Sequence, residues 1–211
     1  MKIIDNYRDL PIGMYLEICE IDRRTDIEEL HKQVQILSLL TAMAEEDIYN
    51  LPLEDYKVLA AKSNYLRKPY DGEILMAKSY KVGAFTLTPV EDFRKITTAQ
   101  YIDFQTFSKE GEKRVVEILS TMLVPKGKKY NQEYDVIEVQ KAIREEMSVA
   151  EALTLFAFFF VQYRQLIKDS LIFCREEAMK IPDKEKRMQT LREIQNQEDL
   201  LLGRNGDGYH A

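Results

Sequence analysis

The sequence predicts a mainly α-helical fold: a helical domain with one small β-hairpin and a long C-terminal helical extension. Only 8 glycines and 6 prolines occur in 211 residues, so long stretches are free of helix breakers. Apolar residues recur every three or four positions over most of the chain, which is typical of amphipathic helices. The period changes to two at one place, near Tyr80, and predicts the hairpin there.

The composition is that of an ordinary folded chain, with 45% hydrophobic and 31% charged residues. A formal net charge of −6 disfavours binding to a phosphate backbone. The longest apolar run, Ala152 to Val161, is far shorter than the roughly 20 residues that span a bilayer, so we expect no membrane span. The N-terminal stretch carries charges where a signal peptide needs an apolar core, so we expect a chain that is not secreted. Cys19 and Cys174 lie outside any CxxC spacing, which predicts two buried thiols in a reducing compartment, not a disulfide.

Helix signals begin near residue 9, where Pro11 precedes a short amphipathic helix. Thr25 and Glu28 form a capping-box pattern ahead of the apolar run ILSLLTAM, and this pattern predicts the start of a second helix. The acidic triplet at residues 45–47 and then Pro52 predict two more helices.

The hairpin is predicted at residues 78–88, where apolar and polar residues alternate on both sides of the Gly-Ala dipeptide at 83–84. A two-residue turn with glycine first is typical of type II′. The register that follows pairs Val82 with Phe85 and Tyr80 with Leu87. Because an isolated hairpin is marginal in water, we expect its apolar face to lie against the helices.

Further capping patterns place the next helices. Thr97 or Thr98 can cap one helix, and Asp135 can begin another. Between them, residues 115–123 predict a helix that ends at Pro125 and is followed by a loop.

A long helix is predicted from the capping box of Ser148 and Glu151 to about Lys180. Its early part is apolar on every side, which is typical of a central core helix. We therefore expect this helix to form the spine of the fold, with three phenylalanines largely buried: Phe156, Phe159 and Phe160.

We predict that residues 1–180 form the helical domain. They are followed by a last amphipathic helix at residues 183–202 and a glycine-rich polar tail at residues 203–211. The apolar stripe of the last helix is narrow and lies on a charged background. It consists of Met188, Leu191, Ile194 and Leu201. We predict that this stripe binds another protein chain; because Pro182 permits a reversal of direction, folding back onto the chain's own long helix is the equal alternative.

Chemical motifs are weak. Neither His31 nor His210 lies at a zinc-like spacing with cysteines or carboxylates, and no serine has a GxSxG context. The turn Lys126–Lys129 can contact phosphate and Tyr130 can stack on a base, but the GxxxxGK[ST] pattern is missing, so a solvated lysine turn is favoured. The sequence therefore predicts no catalytic residue, no metal site and no cofactor.

A resemblance to a phage family is carried by four stretches between residues 9 and 160: DLPIGMYLEI, ILSLLTAMAEEDIYNLPLEDY, ITTAQYIDFQTF and MLVPKGKKYNQEYDVIEVQKAI. Together they resemble structural and tail-morphogenesis proteins of tailed bacteriophages of Bacteroides-like hosts, including crAss-like phages. The resemblance implies a virion component or an assembly factor, similar to tail assembly chaperones, without an active site. It does not cover the charged extension after Phe173.

We therefore expect a non-enzymatic phage morphogenesis protein, a virion structural component near the portal and tail. Its expected partners are portal, neck or tail proteins, with further copies of the chain left open; nucleic acid and membrane are not expected partners. A transient tail assembly chaperone, a small nucleic-acid-binding regulator that uses the Lys126–Lys129 turn, and an enzyme with an unrecognised site remain the alternatives. The implied location is the host cytoplasm during assembly, and the virion if the protein is retained.

Overall fold

The computed structural model describes residues 2–70 and 76–201. For Leu200 and Leu201 it describes the backbone only. Within these residues the chain is mainly helical, with nine α-helices and a small antiparallel sheet, which confirms the predicted fold class. The helices are α1 Ile12–Arg23, α2 Glu29–Thr41, α3 Glu45–Tyr49, α4 Leu53–Lys62, α5 Thr98–Ser108, α6 Val115–Met122, α7 Val136–Glu146, α8 Val149–Met179 and α9 Lys184–Leu201. The strands are β1 Tyr80–Val82, β2 Phe85–Pro89 and β3 Leu123–Pro125. The predicted polar tail, with His210, lies outside the described residues.

Contacts divide the chain into two compact units. The first unit comprises the residues up to Val90 together with Thr97–Phe156, and the second comprises Glu91–Ile96 together with the residues from Ala157 onward. The division falls inside α8, upstream of residues 180–183, where the sequence places the start of the C-terminal extension.

The core of the first unit is built around α6, which is buried along nearly all its length because its apolar residues cover most of the helix surface. The entry to α1 is tied to the junction between α7 and α8 by two backbone hydrogen bonds. The Ile12 N–H donates to the Met147 carbonyl, and the Val149 N–H donates to the Leu10 carbonyl, each at 2.8 Å. Since Leu10 and Met147 are fully buried, these bonds are shielded from water.

Several of the predicted helix starts are confirmed by capping hydrogen bonds. Thr97 and Gln100 form a capping box at α5, and Asp135 accepts from the Ile137 N–H at 2.8 Å to cap α7. Ser148 and Glu151 form the reciprocal bonds of the second capping box.

The capping box predicted at Thr25 is wrong. The second helix begins at Glu29, with Glu28 as a cap residue that makes no side-chain hydrogen bond. The residues ahead of it form a local loop, in which the Arg24 guanidinium donates to the Asp26 carboxylate at 2.8 Å. The motif was present, but the chain around it adopts a competing local structure.

The hairpin has the predicted register, Tyr80 opposite Leu87 and Val82 opposite Phe85. Gly83 has φ +56°, and Ala84 is not among the residues with positive φ, as a type II′ turn requires. The sequence missed the third strand, because Leu123 was assigned to the preceding helix. β3 pairs with β2 and completes a three-stranded sheet in the order β1-β2-β3. A strand of three residues is too short to display a period of two.

Candidate protein-binding surface

The last helix of the second unit, α9, packs against α8. Its start is capped by Asp183, whose carboxylate accepts from the Lys186 N–H at 2.8 Å. Ile194 is 8% exposed and joins an apolar cluster with three residues of α8. These residues are Ile167, Leu171 and Ala178. The side chains of Leu191 and Ile181 pack against the same cluster, so α9 folds back along α8.

A polar contact flanks this cluster. The Arg175 guanidinium on α8 donates to Gln195 Oε1 at 2.9 Å and to the Glu198 carboxylate, both on α9. The Glu198 side chain is only 14% exposed. Solvent and salt therefore screen this ion pair less than they screen a fully exposed one. The contact therefore adds to the apolar packing between the two helices.

The four residues of the predicted binding stripe have different surroundings. Leu191 and Ile194 contact α8. For these two residues the structure shows the alternative in which α9 folds back onto the long helix. Met188 is 47% exposed and remains accessible. The side chain of Leu201 lies outside the described residues. Binding of another chain by these residues stays a prediction.

The sequence missed a second set of exposed apolar side chains, on α8 itself. Val161, Ile172, Phe173 and Met179 are each more than half exposed. Ile172 and Met179 are seven residues apart, so they lie on the same face of the helix. The buried positions Ile167, Leu171 and Ala178 mark a face roughly a quarter turn or more away. The sequence alone does not show which of the two apolar faces α9 covers.

The cysteine prediction is correct in one part and wrong in another. Both thiols are free. Cys19 is half-buried, but Cys174 is exposed. Burial raises the pKa of the Cys19 thiol, so at neutral pH it is protonated and a weak nucleophile.

The lysine turn is arranged differently from a base-stacking site. Lys126, Lys128 and Lys129 are exposed, and Lys128 pairs with Glu133 at 3.3 Å. Tyr130 is 8% exposed, and its hydroxyl donates to Asp103 Oδ2 at 2.7 Å. A buried ring held in this way cannot stack on a nucleic-acid base, so the aromatic part of the nucleic-acid hypothesis is wrong.

His31 lies in the first turn of α2 and contacts side chains of α3. Its Nδ1 lies 2.6 Å from the Tyr49 hydroxyl, and its ring stacks on the tyrosine ring. Its Nε2 is 3.9 Å from Glu45 Oε2. This arrangement fixes α3 on α2 and accounts for the histidine as a structural residue.

A crevice and an open cleft lie among the described residues of the first unit. The crevice, of about 20 Å³, lies beside Cys19 and has room for a single water molecule. The open cleft, of about 350 Å³, is lined by Arg8, Tyr70, Tyr80 and Glu151 among others.

Among residues 2–70 and 76–201, no group of three or more histidine, cysteine, aspartate or glutamate side chains is placed to hold a metal ion. In the same part of the chain, no helix is both long and apolar enough to cross a membrane. Comparison of the sequence and structure with protein-family models, curated proteins and solved structures finds no match.

Proposed function

We propose that this chain is a non-enzymatic bacteriophage morphogenesis protein, a virion structural component near the portal and tail that binds other phage proteins through helical surfaces. The phage assignment rests on the resemblance of the four stretches between residues 9 and 160 to structural and tail-morphogenesis proteins. The protein acts in the cytoplasm of the bacterial host during assembly and then stays in the particle.

The observation that carries the protein-binding part is the exposure of large apolar side chains along α8. Ile172, Phe173 and Met179 are 53%, 62% and 62% exposed. Single exposed apolar residues are normal on any surface, but several on one helix are typical of a surface that another protein covers. Met188 of α9 adds a further exposed apolar side chain to the same unit.

Mass spectrometry of purified virions tests this proposal. We expect the chain among the virion proteins at a constant ratio to the portal protein. Detection in infected cells combined with absence from virions would contradict the structural role and support the alternative, a transient tail assembly chaperone.

The binding surface is tested with the substitutions Phe173→Ser and Ile172→Ser. Both side chains are exposed, so we expect the folded chain to persist, as checked by circular dichroism, while incorporation into particles falls. The matched control is Val58→Ser on α4, at a residue that is 56% exposed in the first unit. Equal incorporation of all three variants would show that α8 is not the binding surface.

A further inference from the structure

A second apolar surface lies at one end of the helices α2, α3 and α4. Leu30, Tyr49 and Leu53 are 56%, 52% and 66% exposed. Tyr49 is held at the first turn of α2, where Leu30 lies, because its hydroxyl is 2.6 Å from Nδ1 of His31. We call Leu30, Tyr49 and Leu53 the apolar end.

Leu53 belongs to the same end because α2 and α4 run in the same direction. The Tyr56 hydroxyl of α4 donates to Gln33 Oε1 of α2 at 2.9 Å. Just beyond the end of α4, the Tyr65 hydroxyl donates to the Ile4 carbonyl, and the Ile4 N–H donates to the Leu40 carbonyl near the end of α2. Leu30 and Leu53 each lie about one turn before the Gln33–Tyr56 pair, so both lie near the end where α2 and α4 begin.

The apolar end has an acidic rim. Residues 24–57 contain eight acidic and three basic residues, and so carry −5 of the chain's net charge of −6. Each of the three cations already has a carboxylate partner: Arg24 with Asp26, Lys32 with Glu29 and Lys57 with Glu54. Acidic residues at helix starts are favoured by the helix dipole, but this preference does not account for exposed leucines and a tyrosine between them.

A positively charged surface lies on the same unit, at the turn Lys126–Lys129 between β3 and α7. All of its lysines are exposed, and in the described part of the chain Lys126 and Lys129 make no ion pair. Ile137, in the first turn of α7, is 67% exposed and supplies an apolar side chain at the end of the same loop. We call the turn and Ile137 the basic surface.

We propose that the apolar end of one chain binds the basic surface of a second copy of the chain. Apolar burial of Leu30, Tyr49 and Leu53 supplies affinity, and the contact between the acidic rim and the lysines selects the orientation. The proposal rests on the proposed function, since it names a second copy as one of the partners in the assembly.

Sedimentation velocity of the purified full chain over a range of concentrations tests the self-association. We expect a mass above that of one chain at high concentration, and a decrease in this mass as salt rises from about 0.1 M to about 1 M, where the screening length falls from roughly 10 Å to roughly 3 Å. Leu53→Lys should weaken the association by roughly tenfold, because it removes an apolar contact and places a cation opposite the lysine turn. Ile102→Lys, on α5 at a residue that is 55% exposed and belongs to neither surface, is the matched control and should leave it unchanged.

A charge exchange makes the test specific. The double variant Glu54→Lys with Asp55→Lys and the double variant Lys126→Glu with Lys129→Glu should each be a monomer alone. Mixed in equal amounts they should associate, because each then offers the other a surface of opposite charge. A wild-type monomer at every concentration, or an association unchanged by these substitutions, would overturn the proposal. Neither result affects the proposed function, since the presence of the chain in virions is measured separately.

Discussion

Gly13 of α1 lies directly against Arg144 of α7, at a separation that leaves no room for a side chain. A Cβ added to Gly13 would lie 2.5 Å from Arg144 Cγ and 2.6 Å from the Arg144 carbonyl oxygen. Since the carbonyl belongs to the backbone, a rotation of the arginine side chain cannot relieve both contacts. The absence of a side chain at Gly13 therefore sets how closely α1 approaches α7.

Gly13→Ala should lower the free energy of unfolding by about 1–3 kcal/mol, because the added methyl group forces the two helices apart. In a helix without such a neighbour, alanine stabilises relative to glycine by roughly 0.5–1 kcal/mol, so the sign of the effect is diagnostic. Urea unfolding measures it. In the double variant with Arg144→Ala the loss should persist in part, since the carbonyl contact remains; full recovery would show that only the arginine side chain matters.

Gly83→Ala should destabilise the hairpin turn. Gly83 has φ +56°, and an added Cβ would lie 3.1 Å from Glu146 Oε1, while the Gly83 N–H donates to Glu146 Oε2 at 2.8 Å. We expect a loss of about 1–2 kcal/mol in the free energy of unfolding from backbone strain, with a further loss from the displaced carboxylate. Gly111→Ala is the control, since its φ is +60° and nothing lies near its added Cβ. Equal losses at both positions would show that Glu146 yields without cost.

Phe159→Ala should lower the free energy of unfolding by about 3–5 kcal/mol, because the side chain is fully buried and its removal leaves a cavity. Phe173→Ala makes the same substitution on the same helix at a residue that is 62% exposed. For this control we expect a change within roughly 0.5 kcal/mol. Thermal unfolding of the two variants side by side gives the comparison, and similar melting temperatures would contradict the assignment of Phe159 to the core.

The burial of the other phenylalanines shows how far the sequence could predict the core. Phe156 and Phe160 were expected to be largely buried but are only partly buried. A helix that is apolar on every side does not reveal which face other elements cover, because periodicity carries that information and here it is absent. The hairpin register and the caps at Thr97, Asp135 and Ser148 were predictable because they depend on residues close in sequence.

The candidate binding surfaces were harder to predict for the same reason. The fold-back of Ile194 onto Ile167 and Leu171 joins residues far apart in the chain, and the stripe on α9 fits either a partner or α8. The apolar end likewise depends on the parallel course of α2 and α4, which no local pattern indicates. Sequence patterns identified the amphipathic helices, and tertiary contacts decide which apolar residues remain exposed.

The Tyr130 hydroxyl should make stability fall at high pH. Burial, together with the hydrogen bond to Asp103, raises the pKa of Tyr130 to about 12, whereas a tyrosine in the unfolded chain ionises near pH 10. Between these values the unfolded chain releases a proton that the folded chain keeps, so the contribution is present below about pH 10 and is lost as the pH rises towards about 12. Other tyrosines with raised pKa values share the trend, so urea unfolding of wild type and Tyr130→Phe must be compared over this range. The variant should lose less stability with pH, and identical slopes would contradict the assignment.

The exposed residue Met188 and the buried residue Ile194 of α9 should respond differently to substitution by alanine. Ile194→Ala removes a side chain from the cluster with Ile167 and Leu171, so it should cost about 2 kcal/mol and make the amides of α9 exchange faster with solvent. Met188→Ala alters a side chain that is 47% exposed and should leave this exchange unchanged. Hydrogen exchange followed by mass spectrometry measures both variants, and faster exchange in both would mean that Met188 also holds α9 in place.

Incorporation into phage particles then separates the two roles of α9. If the exposed side of the helix binds a phage protein, Met188→Ala should lower incorporation although α9 remains folded against α8. A chain that ends at Lys180 should lose incorporation as well, and it should also expose Ile167, Leu171 and Ala178, which α9 covers. The point variant is therefore the decisive one, because the truncated chain changes both the binding surface and the packing. Normal incorporation of Met188→Ala would assign α9 to the stability of its own unit and remove Met188 from the binding surface.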